Sequence, residues 1–380
     1  MHMTLRVHKI LRMKKELKEV YANQVIETLA LFMIGIFIPA FLIESGFSFI
    51  NAAVFMIMQW VFYAVTVPLS GKISSRIGVK HTILLRSPIL IAYLAAVMSI
   101  GSFPWLYSAA VMLGGMSLSL YWVSINTEYV RTSDKRSEGE EAGMLFGLPH
   151  VSAVIGPLAG AAILTLMGFP VLFAISVALI LLSVAPLFLS DDYRSPDFRL
   201  KGIHLLMDRK RAVFYLALGI VYSADFVFWP LHVFMKSGLV VLGVAASLAG
   251  LGMMAFTLIV GKASNTIKGR RRVTRTGAFL LAILWVLRIL ADSEIEFLVL
   301  SLMGGFIITS VYISLYADFA KFAKKNGIAR SVVFRQFWAA TGHFLPFMIL
   351  AALAPGAPEF VTAAFIISAM ASVVLIAFRE

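Results

Sequence analysis

The chain has no cysteine, which excludes disulfides, thiolate metal sites and cysteine catalysis. It is also short of charge: Asp, Glu, Lys and Arg make up 14% of its 380 residues, against 60% hydrophobic residues. A soluble fold cannot hide so much apolar side chain, whereas in lipid each apolar run satisfies its own backbone hydrogen bonds as a helix. Long polar stretches are missing as well. The connecting segments are too short for a soluble domain, which leaves little scaffold for catalysis or ligand binding outside a membrane. No Gly-x-x-x-x-Gly-Lys-Ser/Thr loop occurs, so nothing points to direct use of ATP.

What is present is apolar and periodic. Twelve stretches of spanning length lie at about 20–44, 50–70, 82–100, 105–127, 142–166, 170–189, 212–235, 241–260, 276–291, 296–318, 332–354 and 360–378. The segments between them alternate between two compartments. All 33 Lys and Arg except Lys236 and Arg288 fall in one set, counting Arg86 and Arg335 at adjoining helix ends. Basic residues are retained on the cytoplasmic side during insertion, so both termini are expected in the cytoplasm of a multi-pass protein of the plasma (inner) membrane. The net charge of +13 is then explained by orientation and contact with anionic lipid headgroups, with no call for nucleic acid. The basic N-terminus and its run of about 25 apolar residues read as a retained first helix, since no convincing cleavage site follows.

The sequence also repeats itself. Gly71-Lys72 matches Gly261-Lys262, Leu113-Gly114-Gly115 matches Met303-Gly304-Gly305, and Glu128-Tyr129 matches Asp318-Phe319, all at a shift of 190. Pro39 and Pro230 follow at 191. A common offset at equal places in the topology implies two parallel six-helix bundles, 1–189 and 212–380. A charged cytoplasmic linker, 190–211, joins them, with a surface helix expected near Ile203–Met207.

The segment after the second span, Gly71-Lys-Ile-Ser-Ser75-Arg76-Ile-Gly78-Val-Lys80-His81, resembles the signature loop of the major facilitator superfamily, with Ser75 where that family usually has Asp. Gly261-Lys-Ala-Ser-Asn265 through Arg270-Arg271-Arg272 is a looser counterpart in the second half. Span 5 carries Gly156-Pro157-Leu-Ala-Gly160, similar to the Gly-Pro-x-x-Gly element of proton-driven antiporters in that superfamily, though span 4 lacks their buried Arg. The resemblance covers essentially the whole chain. It implies an all-α membrane protein of twelve transmembrane helices in two pseudo-symmetric bundles, with a cavity surrounded by spans 1, 4, 7 and 10 and flanked by 2, 5, 8 and 11. Cavity candidates are then Gln59, Trp60, Tyr121, Asn126, Tyr312 and Gln336. The two loops lock helix ends, Gly71, Gly78 and Gly261 allowing close approach while basic groups reach carboxylates. Arg76 is expected to meet Glu128, and Arg270–Arg272 or Lys268 to meet Asp318, as an inner gate. The alternative is solvated helix ends that follow the topology rule. Gly156, Pro157 and Gly160 serve close helix packing and a bend.

Only two acids, Glu27 and Asp225, lie well inside spans. A carboxylate at mid-bilayer costs on the order of 2.5–3.5 kcal/mol, so such residues face a bundle interior or water. Asp225 sits near the midplane of span 7, and Tyr222, Asp225, Trp229 and His232 follow at helical spacing on one face. A carboxylic acid in such a cavity can load and release protons. Asp225 is therefore a candidate proton or substrate site, with an ion pair to Arg288 or a neighbouring span as the alternative. Glu27 is a second candidate titrating group, or else a hydrogen-bonded residue of the inner vestibule. Snorkelling and pairing with Asp292 at i+4 account for Arg288, with a direct functional role as the alternative. Hydrogen bonds in a packed interface account for His150 and His343, with a place on the solute pathway as the alternative.

These residues fit a secondary active transporter of a small molecule, working by alternating access with protons as the driver, with a slight lean to export. A facilitator or membrane sensor without coupling, or an importer of small metabolites, remains open. An intramembrane enzyme is disfavoured, because His150, His232 and His343 fall on different helices without metal-like spacing and no acid pair or nucleophile and base stand together. No cofactor or metal is expected, and a monomer suffices.

Overall fold

Where no water competes for backbone groups, an apolar chain closes its hydrogen bonds within itself, and helix follows almost everywhere. The computed structural model describes residues 15–132, 138–189, 192, 208–263, 267–353 and 356–377, and every regular element among them is helical. Helix α1 (Lys15–Ile34) passes through a tight turn at Gly35–Phe37 into α2 (Ile38–Glu44), whose first turn accepts Pro39 because no backbone N–H is needed there. Then come α3 (Phe49–Ile77), α4 (Val79–Ser99), α5 (Leu106–Thr132) and α6 (Glu138–Val184). After the linker follow α7 (Arg209–Ser223), a five-residue π turn (Ala224–Phe228), α8 (Trp229–Ala263), α9 (Ile267–Leu290), α10 (Glu294–Asn326), α11 (Ile328–Leu353) and α12 (Ala357–Ile376). Most of the linker, with the surface helix expected near Ile203–Met207, lies outside the described residues.

Ten of the described helical segments are long and apolar enough to cross a membrane. Two of them, Pro149–Phe188 and Arg209–Thr257, hold 40 and 49 residues. At 1.5 Å per residue these run roughly 60 and 70 Å, about twice a hydrocarbon core of ~30 Å. Each is broken once, at Gly168 (φ 79°) and Gly238 (φ 76°), a region of backbone space that a side chain resists.

Helix ends carry their own stops. Ser293 and Glu296 form a reciprocal capping box at the start of α10, and Ser48 caps α3 through the Asn51 N–H. Between α3 and α4 the chain turns at Gly78 (φ 104°), and the linker reaches back to this turn. The Asp192 carboxylate accepts hydrogen bonds from the Lys80 and His81 amides, both at 2.9 Å, and contacts the His81 ring at 2.7 Å. An acid at a helix N-terminus is favoured by the exposed amides and the dipole. A Cβ on Gly78 would strike the same carboxylate, so the glycine is required twice over.

Small residues bring helix backbones together where lipid offers no hydrophobic drive for association. A Cβ on Gly115 in α5 would overlap the Gln59 carbonyl oxygen of α3, and one on Gly305 in α10 would overlap the Ala249 carbonyl oxygen of α8. Gly115 and Gly305, like Gln59 and Ala249, stand 190 positions apart, the offset of the repeated motifs. The halves meet along α6 and α8, where Gly250 lies on the backbone of Ala153 and the Leu158 amide donates to Ser247 Oγ at 3.1 Å. Gly305→Ala is expected to lower the thermal-unfolding midpoint, since overpacking of this kind costs about 1–3 kcal/mol. Gly35→Ala, with nothing within 4 Å of its added carbon, should leave the midpoint unmoved.

Candidate functional site

Between the two sets of helices lies a cavity of about 400 Å³. Both halves line it. Thr28 and Gln24 come from α1, Trp60 and Tyr63 from α3, Tyr121 and Trp122 from α5, and His150 from α6; Tyr222 comes from α7, Thr309 and Tyr312 from α10, and Gln336 and His343 from α11. Aromatic rings dominate the wall, and two are locked face to face: Trp60 stacks on His343 with centroids 3.7 Å apart and planes 5° apart. Ser223 Oγ holds the other side of that imidazole at 2.8 Å from Nδ1. His150 Nδ1 lies 3.1 Å from Thr257 Oγ1.

Of the residues singled out from sequence, Trp60, Tyr121, Tyr222, Tyr312 and Gln336 line this cavity. Gln59 and Asn126 do not. Gln59 is buried against Gly114 and Gly115, and Asn126 sits just beyond the cavity towards the end of the bundle where α1 begins. There Asn126 bonds the Tyr316 hydroxyl through Oδ1 and the Trp122 carbonyl through Nδ2, at 2.5 Å for the latter. Tyr129 packs on Tyr316 with ring centroids 4.8 Å apart. Asn126 and Tyr316 are themselves 190 positions apart, so positions related by the offset of the repeated motifs touch each other at that end.

Two arginines that sequence assigned to helix ends belong to the cavity instead. Arg86 and Arg335 each lie seven residues into their helices, α4 and α11, hence roughly 10 Å from the helix start. Both are buried and line the cavity. Arg86 pairs with the fully buried Glu27, donates from Nε to Ser117 Oγ at 3.1 Å and lies 4.2 Å over the Tyr121 ring. Glu27 thus stands behind Arg86. Arg335, 4% exposed, donates from Nη1 to Asn126 Oδ1 at 3.2 Å and packs on the rings of Tyr316 at 4.6 Å and Phe319 at 5.0 Å. An Arg a few residues inside an apolar run looks, in sequence, the same as one snorkelling to the headgroups. The available signal was depth: seven residues exceeds the reach of a first-turn side chain.

Asp225 lies elsewhere. Its carboxylate is 2.6 Å from Arg288 Nη1, both side chains are buried, and it borders a smaller pocket of about 40 Å³ shared with Trp229 and Ser301. Arg288 is sandwiched over Trp229 and Trp285 at 4.5 and 4.7 Å, and Trp229 donates from Nε1 to Ser301 Oγ at 2.8 Å. This is the alternative that the sequence left open, an ion pair to Arg288. Snorkelling and a bond to Asp292 do not describe Arg288, because Asp292 is taken by Lys236 at 2.5 Å near the surface. Nor do the four residues of span 7 share one face. Tyr222 looks into the cavity and stacks on Phe226, 5.3 Å away, while Asp225 and Trp229 turn to Arg288 and His232 packs near Trp229 and Phe297. The π turn at Ala224–Phe228 changes the register between them.

The first proposed gate pair is also arranged differently. Arg76 is exposed at the end of α3, and Glu128 is held by Arg131, one turn along its own helix, at 2.6 Å. Asp318 pairs with Arg211 from the start of α7. Arg270 is buried near the start of α9. Local reach decides the first case: a basic group three residues away on the same helix arrives before one at a neighbouring helix end. Gly71 is buried in α3, Gly261 falls in the last turn of α8, and the loop beyond it, 264–266, lies outside the described residues. In α6, Gly156 and Gly160 lie on the backbone at Phe32 and Met33 of α1, and the Pro157 carbonyl faces Gly243 of α8.

An all-helical bundle with apolar spans, close glycine contacts between halves and a buried polar and aromatic cavity defines a multi-pass membrane transport protein. The sequence profile of the Major Facilitator Superfamily matches residues 20–346, and the chain belongs to that family. No curated protein matches the sequence. Solved structures show the same fold at low identity. The human organic anion transporter MFSD10 (TETRAN) aligns with a TM-score of 0.70 at 14% identity, covering 95% of this chain and 99% of that one. A bacterial homologue of the iron transporter ferroportin, in its outward-facing state, aligns at 0.67 and 14%, covering 96% and 99%. The transporter FucP in its outward conformation aligns at 0.66 and 12%, covering 96% and 98%.

Proposed function

We propose that the protein is a secondary active transporter that moves a small solute by alternating access, two six-helix halves rocking about the central cavity. The observation that carries this reading is the cavity itself, built from side chains of both halves and bounded on each side by contacts that join the halves. On the side of the termini the boundary is Asn126 with Tyr316 and Arg335; on the other it is the α6–α8 seam. Counting the breaks at Gly168 and Gly238 as reversals turns ten apolar segments into twelve crossings, six before the linker and six after. The charge pattern orients both termini to the cytoplasm of the plasma (inner) membrane, and a monomer contains the whole site.

Protons are the driver in this reading, with Glu27 the group that titrates. Arg86 lies on the cavity wall and Glu27 behind it, so protonating Glu27 frees a cationic charge into the cavity. Asp225 with Arg288 would then hold the second half together beside the moving parts. The slight lean to export rests on the Gly156-Pro157-Leu-Ala-Gly160 element.

Alternation needs no known substrate to be tested. Thr309→Cys places one thiol in the cavity of a chain that otherwise has none. In proteoliposomes of uniform orientation an impermeant maleimide is expected to label it from both faces in separate experiments. Labelling from one face alone, whatever the pH gradient, would remove alternating access. For coupling, an imposed pH gradient should shift the ratio of labelling at the two faces, and Glu27→Gln should abolish that response; a ratio indifferent to pH would leave an uncoupled facilitator.

A further inference from the structure

Among the described residues, three arginines besides Arg270 at the start of α9 are buried, and two of these three are neutralised. Arg86 has Glu27 and Arg288 has Asp225. Arg335 has no carboxylate within ion-pair distance among the described residues, and its Nε has no hydrogen-bond partner among them. Its charge rests on one amide oxygen, the Tyr312 hydroxyl and the faces of aromatic rings, all of them neutral. Such contacts favour a cation only weakly compared with a carboxylate. A buried cation without a counter-ion is expensive in this environment, so it persists where something else meets it.

The geometry points to an amphipathic organic anion as the solute, its planar monoanionic head, carboxylate or sulfonate, held by Arg335 and its apolar body laid among the rings of Trp60, Tyr121, Tyr222 and Tyr312. This rests on the transporter reading above and names the substrate class of that site. Arg335 offers the forked, planar donor set that fits such a head in a bidentate fashion. A cavity of about 400 Å³ suits a molecule of one or two fused rings. The wall supplies stacking surfaces on the residues just named. A cationic solute would meet two arginines, Arg86 and Arg335, in the same cavity, and only one of them is already neutralised.

The test compares three probes of one shape and different charge: 2-naphthoate, 2-naphthamide and 2-naphthylmethylammonium. Binding to the purified full-length protein in chloride-free buffer is read from quenching of tryptophan fluorescence, with thermal shift as a second readout. The expected result is naphthoate binding at least 10-fold more tightly than either other probe. Arg335→Gln should remove that preference, naphthoate falling to the level of the amide, while Arg335→Lys keeps part of it. Equal affinities for the three probes, or none for any of them, overturn the proposal on the unaltered protein, with no variant needed. A naphthoate preference that survives Arg335→Gln overturns it too. Because binding is measured without a gradient or a sealed membrane, an anion site in a protein that does not alternate would separate this inference from the transport reading. Alternation in a protein with no charge preference would do the reverse.

Discussion

Asp225→Ala is expected to destabilise the protein by about 3–5 kcal/mol, and adding Arg288→Met is expected to recover most of that loss. The reason is an asymmetry of buried ion pairs. Bringing both charges out of water costs nearly what their attraction returns, so exchanging the pair for apolar groups is close to neutral. Removing one partner alone leaves the other charge buried and uncompensated. Arg288 is 1% exposed and clasped between Trp229 and Trp285, so it has no route to water once its carboxylate is gone. Asp292→Ala is the control. It breaks the pair with Lys236 at the surface, where such pairs are worth ~0–1 kcal/mol. The measurement is thermal or denaturant unfolding of purified protein, followed by intrinsic fluorescence. If Asp225→Ala costs no more than Asp292→Ala, water reaches Arg288, and the dry pair described here is wrong. The same outcome would revive Asp225 as a titrating group, because a wet midplane carboxylate is what proton loading requires.

That trade-off also explains which parts of the molecule were legible in its sequence. Apolar runs and the placement of Lys and Arg depend only on whether a segment meets lipid or water, and both are written along the chain. The membrane-spanning helical fold followed from them, and the resemblance to the family from the Gly71–His81 loop and the Gly156–Gly160 element. Helix phase is different. In a helix that is apolar on all sides no polar face marks the interior, so a residue's direction depends on local geometry that leaves no signature. The π turn at Ala224–Phe228 is such a case, separating Tyr222, on the cavity, from Asp225, on Arg288. Partner choice is equally hidden. Glu27 and Arg86 are distant in sequence, and Arg335 reads as one more positive charge near a helix end until its depth and its lack of a carboxylate are seen together. Four of the six expected aromatic and amide positions, Trp60, Tyr121, Tyr312 and Gln336, line the cavity, the rings among them because bulky polar-edged groups in an apolar helix are costly to leave in lipid.

A disulfide between Ala161→Cys and Gly243→Cys is expected to cut labelling of the cavity thiol, Thr309→Cys, by at least 100-fold from the face remote from the termini. Labelling from the terminus face should remain, and a reductant should restore the lost side. Both positions lie near the glycine breaks, seven residues before Gly168 and five after Gly238, so the bond would fasten α6 to α8 at that end of the bundle. A Cβ built on Gly243 stands 2.5 Å from the Ala161 Cβ. A disulfide prefers about 3.8 Å between these carbons, so the helices need to part by little more than 1 Å to accept it. The absence of native cysteine means that no other bond can form except with the reporter itself, which masking with a reversible reagent before oxidation prevents. Rocking requires the α6–α8 seam to open on one side while the Asn126–Tyr316 contact closes the other. Pinning the seam therefore removes one of two states without touching the cavity. If the locked protein is still labelled from both faces, solute reaches the cavity by a path that does not separate α6 from α8, and the two halves do not move as rigid bodies about this site.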